Sequence, residues 1–561
     1  MGIYLNPGKQ SFTMAVNSEI FVDKTPMIRY LNTVINTQQR FVSVSRPRRF
    51  GKTMAANMVA AYYDCQANSR ELFEGLKLSV CRPAMVGKKM ISWDTYLGKF
   101  DVLRLIMTDF TNNASNAQDM IGYLTNEVTD ELMMEYPDVH YGERINLWNV
   151  MNRIYTHTKR QFVIIIDEWD VIFRYWRDDK DSQREYLNFL RSWLKDKDYV
   201  ALAYMTGILP IKKYGEHSAL NMFDEYSMIQ PMQLAPYTGF TEEEVEELCQ
   251  EYGRDFAKIK DWYDGYEVYD IIPRDRDYQQ LRSTGEEPVP GHHSLYSPLS
   301  VVKAVSTGQI KNYWNNTETY EALAEHIRMD FDGLKETIAL LMDGGRVKVG
   351  ISKYQNDMTS FQSSDDVLTM LIHLGYLGYD SERGEAFIPN KEILEVFKDS
   401  TDSREWADTM LAFRKSQELL QATWTRDEEK VAELLEAAHD RAGNRTYNDE
   451  AALSYAVQYA YYAAQKYYTT IQELDSGKGY ADLAYLPSPR YPDKPVLIIE
   501  LKYGRSADEA IDQIRKKDYP ARFEHYKGNI LLMGISYDKD ITSKQEGYKK
   551  HSCRIESVET L

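Results

Sequence analysis

The chain has 561 residues and a net charge of -18 at neutral pH, which argues against a surface that is basic all round and confines any nucleic-acid contact to a local patch. Its length is too great for one hydrophobic core and predicts roughly three or four packed units. Cys65, Cys81, Cys249 and Cys553 show no CxxC spacing, so neither a zinc site nor a disulfide framework is indicated and a reducing cytoplasm fits best.

The opening MGIYLNPGKQ has no apolar signal core. Runs such as FVIII and VLII are far short of the ~20 residues that span a bilayer, so a soluble protein is expected. The first predicted strand is FVSVS (41–45), followed by RPRRFGKT (46–53) and the helix-forming stretch TMAANMVAAYYDC (53–65). Strand, loop and helix with Gly-Lys-Thr at the junction is the layout of a phosphate-binding loop. Backbone N–H groups converge on the phosphates, a lysine supplies a point charge, and a hydroxyl holds Mg2+. Gly51, Lys52 and Thr53 fill those positions, while Arg46 stands where a first glycine is usual. Arg48 and Arg49 either reach phosphates or form a solvated pair, and Gly-Lys-Thr can also arise as a plain helix start.

Further strands are predicted at 101–107 (DVLRLIM), 161–167 (QFVIIID) and 199–207 (YVALAYMTG), with helical stretches such as 182–196 between them. Alternation of this kind predicts an α/β fold, a mainly parallel sheet covered by helices. FVIIIDEWD puts Asp167 at the carboxyl end of a strand, where it can hold the Mg2+ water shell, and Glu168 next to it, where it can orient an attacking water. Acidic residues after a strand also cap the next helix, but two such elements at the carboxyl ends of one sheet sit where these sheets bind ligands. Thr206, ending the next strand, either senses the γ-phosphate or is a plain β-former.

From about residue 236 the pattern turns helical. Thr241 and Glu244 form a capping box with Phe240 and Val245 as its staple, and a second box is predicted at Thr425 and Glu428. The polar stretch 270–293 reads as an exposed insertion or linker. The expected division is a P-loop domain over 1–235, a mostly helical lid or linker region over 236–440, and a mixed α/β domain over 441–561.

In that last part GYADLAYL (479–486) and VLIIELK (496–502) are predicted strands. Glu500 and Lys502 share one face and Leu501 takes the other. With Asp482 on the neighbouring strand, two carboxylates and a lysine make a hard-oxygen site suited to Mg2+ or Mn2+. The plain alternative is a strand-edge salt bridge. Arg515, Lys516, Lys517, Arg522, Lys527, Lys549, Lys550 and Arg554, interleaved with Tyr519, Phe523 and Tyr526, are a candidate nucleic-acid patch.

FVDKT (21–25), RPRRFGKT (46–53), IIIDEWD (164–170), YTGFTEEEV (237–245), WYDGY (262–266) and LYSPLS (295–300) resemble the bacterial AAA-ATPase-like proteins. The resemblance covers roughly residues 1–320 and implies a P-loop ATPase core that binds ATP with Mg2+. In that family the loop begins with arginine, so Arg46 is no defect. From the residues alone, Thr25 before Pro26 reads as a helix N-cap. The spacing from Asp482 to Glu500 and Lys502 resembles the PD-(D/E)XK nuclease fold, a restriction-endonuclease-like α/β domain. Gln513 and Tyr519 stand in its typical places and Glu450 matches its upstream acid. Leu453 and Ser454 depart from the Tyr-His often found after that acid, and Tyr480 from an arginine. The resemblance implies a metal-dependent nuclease acting on DNA more than RNA, or a nuclease fold kept as a non-cutting binding module in a nucleotide-switched protein. The sequence leaves the oligomeric state open, a homo-oligomer included.

Overall fold

The computed structural model describes residues 2–211 except 88 and 144, then 220–269, 291–314, 333–351, 363–402, 404–442, 450–475, 480–517, 529–538 and 550–558, with 323, 327, 354 and 361 between them. Side chains at 404–405, 439–442, 450–452, 473–475 and 480 are not described. Contacts divide the chain into two compact units, Met1–Asp332 with Val347–Phe397, and Gly333–Arg346 with Lys398–Leu561. The stretch 236–440 is therefore shared between them.

The first unit is built on a five-stranded sheet in the order Asp101–Ile106, Phe162–Asp167, Val200–Gly207, Phe41–Ser45, Asp224–Tyr226. Every pair is parallel. Parallel strands need helical crossovers, which bury both faces, and the strand sequences show it. Phe162, Ile164 and Ile166 pack into one core with the helices Ala117–Glu135, Leu147–Thr158 and Lys180–Leu194. Val163 and Ile165 point the other way, against the helix Lys52–Tyr63. The four predicted strands fall within a residue of their expected bounds. The edge strand Asp224–Tyr226 is only DEY, too short and polar to carry a signal.

Among the described residues three small antiparallel sheets complete this unit, one from Ala84–Val86 and Lys89–Ile91, one from Phe240–Thr241, His292–Tyr296 and Tyr266–Tyr269, and one from Val347–Lys348, Glu385–Phe387 and Gly378–Asp380. Strands this short leave no alternation to read in a region that looks helical. Residues 270–290 of the expected insertion lie outside the described residues, but His292 and His293 belong to a strand paired with Tyr269 and Val268. The Thr241–Glu244 capping box forms with both bonds, and Phe240 and Val245 share a core. Thr25 caps nothing in its own helix. Its hydroxyl donates to Asp23 at 2.6 Å and accepts the Leu78 amide at 3.1 Å, so it is spent on those partners and not on the helix amides.

The second unit carries a mixed sheet in the order Tyr468–Asp475, Tyr480–Pro487, Val496–Tyr503, Ile530–Tyr537, His551–Ser557. The one parallel pair, Val496–Tyr503 with Ile530–Tyr537, is joined through the helix Ala507–Lys517. Leu497, Ile499 and Leu501 pack with the helices Arg404–Thr425, Glu428–Ala442 and Glu450–Ala460. Val496 and Ile498 face Ile511 and Ile514 of Ala507–Lys517. The second expected capping box moves: Thr425 ends its helix and bonds back to Gln421, while Asp427 accepts the Lys430 amide at 3.0 Å and caps the next. No helix among the described residues is long and apolar enough to cross a membrane.

Candidate functional site

The loop after Phe41–Ser45 is held from beneath by Arg46, which is fully buried. Its amide donates to the Gly207 carbonyl at 3.0 Å, and its guanidinium donates to the carbonyls of Ser45 at 2.9 Å and Tyr226 at 2.7 Å. Arg46 thus ties the loop to the strands on either side, where a glycine would leave it free. Burial pushes its pKa down to about 10. Gly51 takes φ +83° at the start of the helix Lys52–Tyr63, whose first turn no side chain caps. A Cβ at Gly51 would meet nothing within 4 Å, so the uncapped amides open onto free space where an anion fits.

Lys52 reaches back over the loop and donates to the carbonyls of Arg46 at 2.9 Å and Pro47 at 2.7 Å. Burial pushes its ammonium down to about 8 in spite of the carboxylates of Asp170, Asp167 and Glu168. Thr53 is exposed on the first turn. Asp167 is buried, accepts the Thr206 hydroxyl, and lies 4.0 Å from Arg104. Thr206 is itself fully buried, and its hydroxyl is given to Asp167. Glu168 has φ +55°, a left-handed backbone unusual outside glycine. Its carboxylate pairs with Arg174 at 3.1 Å. Arg48 and Arg49 line the same cavity, and Arg49 donates to the carbonyls of Tyr313 at 3.0 Å and Trp314 at 3.3 Å.

Gly51, Lys52, Thr53, Glu168 and Arg174 form the polar wall of a cavity of about 740 Å³. Its apolar wall comes from Phe21, Val22, Phe240, Pro298, Leu299 and Val302. The cavity therefore has a charged, polar end and an apolar end. The sequence motifs converge here for packing reasons. Lys24 of FVDKT donates to Pro236 and Glu244, the acid of the capping box. Phe50 is buried edge-on against Tyr266 of WYDGY at 5.2 Å. At Gly239 of YTGF, φ +92°, a Cβ would stand 3.2 Å from the Phe50 ring.

The second constellation lies in the other unit. Glu500 and Lys502 share the face opposite Leu501, and Lys502 Nζ donates to Glu500 Oε1 at 3.1 Å. Gln513 donates to the same oxygen from the facing helix. Asp482 accepts the Leu501 amide at 2.7 Å through Oδ2, which places it beside Glu500. Glu500 Oε2 is buried with no hydrogen-bond partner among the described residues. Burial, with the Asp482 charge added, pushes Glu500 up to about 7. A buried, unpartnered carboxylate oxygen next to a second carboxylate fits a hard divalent cation. Among the described residues no three His, Cys, Asp or Glu side chains cluster as a fuller metal site. Glu450 begins its helix, but its side chain lies outside the described residues.

Residues 7–215 match the family described as predicted AAA-ATPase, and residues 450–546 match the PD-(D/E)XK nuclease superfamily. The chain joins an AAA-ATPase-like domain to a PD-(D/E)XK nuclease-superfamily domain. No curated protein matches the sequence. Two solved structures of the Aeropyrum pernix ORC2 protein, its ADPNP-ADP complexes and its ADP form, are similar at 13% and 12% identity with TM-scores of 0.26 and 0.24. Each covers 71% of this chain and 98% of its own, and at those scores the likeness carries no argument.

In the AAA-ATPase-like domain, sequence reasoning missed Asp170 and Arg174. The DEWD run contains Asp170, but a helix cap explains it as well, and Arg174 has no motif. The apolar wall had a signal in the Phe21-Val22 pair, which nothing in sequence connects to Leu299. In the nuclease-superfamily domain the expected basic patch is partly neutralised. Arg515 pairs with Glu556, and Arg554 lies 3.3 Å from Glu428 and 3.7 Å from Asp508. Arg522, Lys527, Lys549, Tyr519, Phe523 and Tyr526 lie outside the described residues.

Proposed function

We propose that the protein binds and hydrolyses ATP in its first domain and that the nucleotide state governs a metal-dependent nuclease acting on DNA in its second. Lys52, Arg48 and the amides at Gly51–Thr53 hold the phosphates, and the apolar wall around Phe21 and Leu299 takes the base. Thr53 and Asp167 hold Mg2+, with Thr206 fixing the Asp167 carboxylate, and Glu168 accepts the proton of the attacking water. In the second domain Asp482 and Glu500 hold Mg2+ or Mn2+, Lys502 orients the water, and Gln513 fixes Glu500. A divalent ion there supplies the charge that activates water and steadies the developing phosphate charge.

The observation that carries this reading is the Glu500 carboxylate, with one oxygen held by Lys502 and Gln513 and the other buried and unpartnered beside Asp482. The test is cleavage of single- and double-stranded DNA and of RNA, with Mg2+ or Mn2+, with and without ATP. DNA cut by the parent in an ATP-dependent way and untouched by Glu500→Gln is the expected result. A second reading, a nuclease fold that binds without cutting, is favoured by Leu453, which is fully buried where the family often presents polar side chains. Metal binding without cleavage of any of the three substrates would select it.

A further inference from the structure

Arg174 sits on the short helix Val171–Tyr175 that follows the DEWD run, and it lines the same cavity as Lys52 and Thr53. Its guanidinium faces two carboxylates of different standing. Asp170 is fully buried, and its Oδ2 already accepts the amides of Ile208 and Leu209, each at 3.0 Å. Arg174 Nε approaches that oxygen only to 3.9 Å and is itself buried without a hydrogen-bond partner among the described residues. Glu168 is different, since its side chain is 38% exposed at the cavity and receives Arg174 NH2 at 3.1 Å. Among the described residues the hydrogen bond of this guanidinium therefore goes to the carboxylate proposed to activate water. Burial works against the charge of Arg174, but Asp170 and Glu168 outweigh it and hold its pKa above the ordinary value.

A carboxylate oxygen that accepts from a guanidinium is occupied, and its side chain is held towards the arginine. The bond to Arg174 thus takes up a Glu168 oxygen that water would otherwise use. A terminal phosphate carries more negative charge than one carboxylate and presents several acceptor oxygens to the planar donor fork. We propose that Arg174 is the positioning residue by which this cavity distinguishes a nucleoside triphosphate from a diphosphate: it exchanges Glu168 for the terminal phosphate and so frees the carboxylate. A diphosphate leaves the Arg174–Glu168 pair intact. Asp170 extends the same cluster to the segment after the Val200–Gly207 strand through its two amides.

This inference rests on the nucleotide-binding reading. It is tested on the full chain by calorimetric titration with Mg·ADP and with a non-hydrolysable Mg·ATP analogue. The expected result for Arg174→Gln is a loss of about 10-fold or more in analogue affinity, the worth of one charge-assisted hydrogen bond, with ADP affinity held within about twofold. Glu168→Gln removes the competing charge and keeps Arg174, so it should move the analogue-to-ADP affinity ratio the opposite way, above the parent's. An unchanged ratio in either variant, or a parallel fall for both nucleotides in Arg174→Gln, overturns the role of Arg174 while leaving nucleotide binding in place. A parent that binds neither nucleotide overturns both. Should Arg174→Gln fail to fold, the Glu168→Gln ratio decides alone.

Discussion

Lys502 and Glu500 stand two residues apart on one strand, and the lysine donates to one oxygen of the glutamate at 3.1 Å while the other oxygen is buried without a partner among the described residues. A salt bridge alone would not need to bury that second oxygen next to Asp482. The arrangement leaves one carboxylate oxygen over after the ion pair is made, which is what the proposed cation site uses. The cavity beside the Arg46–Thr53 loop has the same character, with uncapped helix amides and a lysine folded onto its own loop.

Lys52→Ala should lower affinity for Mg·ATP by about 100-fold or more, because it removes the one side-chain ammonium at the loop. Stability without nucleotide should change by less than about 1 kcal/mol, since the deleted group is a charge whose burial is already costly. Titration calorimetry and a melt of the same sample check both statements. Unchanged affinity removes the phosphate-loop assignment.

Glu168→Gln should retain nucleotide binding and lose turnover by about 100-fold or more, because the amide keeps the shape but cannot take a proton. Steady-state phosphate release measures it. Turnover at the parental rate would make Glu168 a positioning group only and favour a switch that holds ATP.

The loop also rests on a platform that acid should loosen. His373 is buried in the helix Ser364–Leu374, and the glycine that follows, Gly375, lies against Pro47 of the loop. Burial holds the His373 pKa down to about 3. A base with a depressed folded pKa favours the folded state above its unfolded pKa of about 6.5 and loses that contribution as pH falls towards 3. Between pH 6 and pH 5 the parent should lose up to about 1.4 kcal/mol per pH unit from this group, and His373→Phe should lose less. Denaturant unfolding at the two pH values gives the comparison. Equal slopes would mean the imidazole does not titrate in this way.

Gly239→Ala should destabilise the first unit by about 1–2 kcal/mol, through a left-handed backbone and a methyl pressed on the Phe50 ring. The loss should be smaller in Gly239→Ala combined with Phe50→Leu. A double-mutant cycle by thermal melts reads the coupling, and strict additivity would show that the two residues do not press on each other.

The parallel sheet was legible because strands buried on both faces leave runs such as FVIIID, and the loop because glycine and lysine at a helix start have few other uses. Arg46 was visible as an oddity, but its anchoring of the loop needs the carbonyl of Tyr226, 180 residues away. Thr25 and Thr425 misled for a shared reason, in that a hydroxyl takes the nearest partner, Asp23 in one case and Gln421 in the other. The Glu500, Lys502 and Leu501 faces followed from strand alternation alone. The state of Glu500 did not, because burial and the charge of Asp482 are set by the neighbouring strand and the helix carrying Gln513.

The most direct measurement of the central claim, that Asp482 and Glu500 form a cation site, is the thermal melt of the parent, Asp482→Asn and Lys502→Ala with and without millimolar Mn2+. Without metal, Asp482→Asn should melt above the parent by relieving repulsion with Glu500, and Lys502→Ala below it by about 1–3 kcal/mol, because Glu500 loses the ammonium bonded to it. With Mn2+ the parent should rise and Asp482→Asn should not. A parent that does not respond to Mn2+, together with Asp482→Asn melting lower, would contradict the account and leave a structural ion pair.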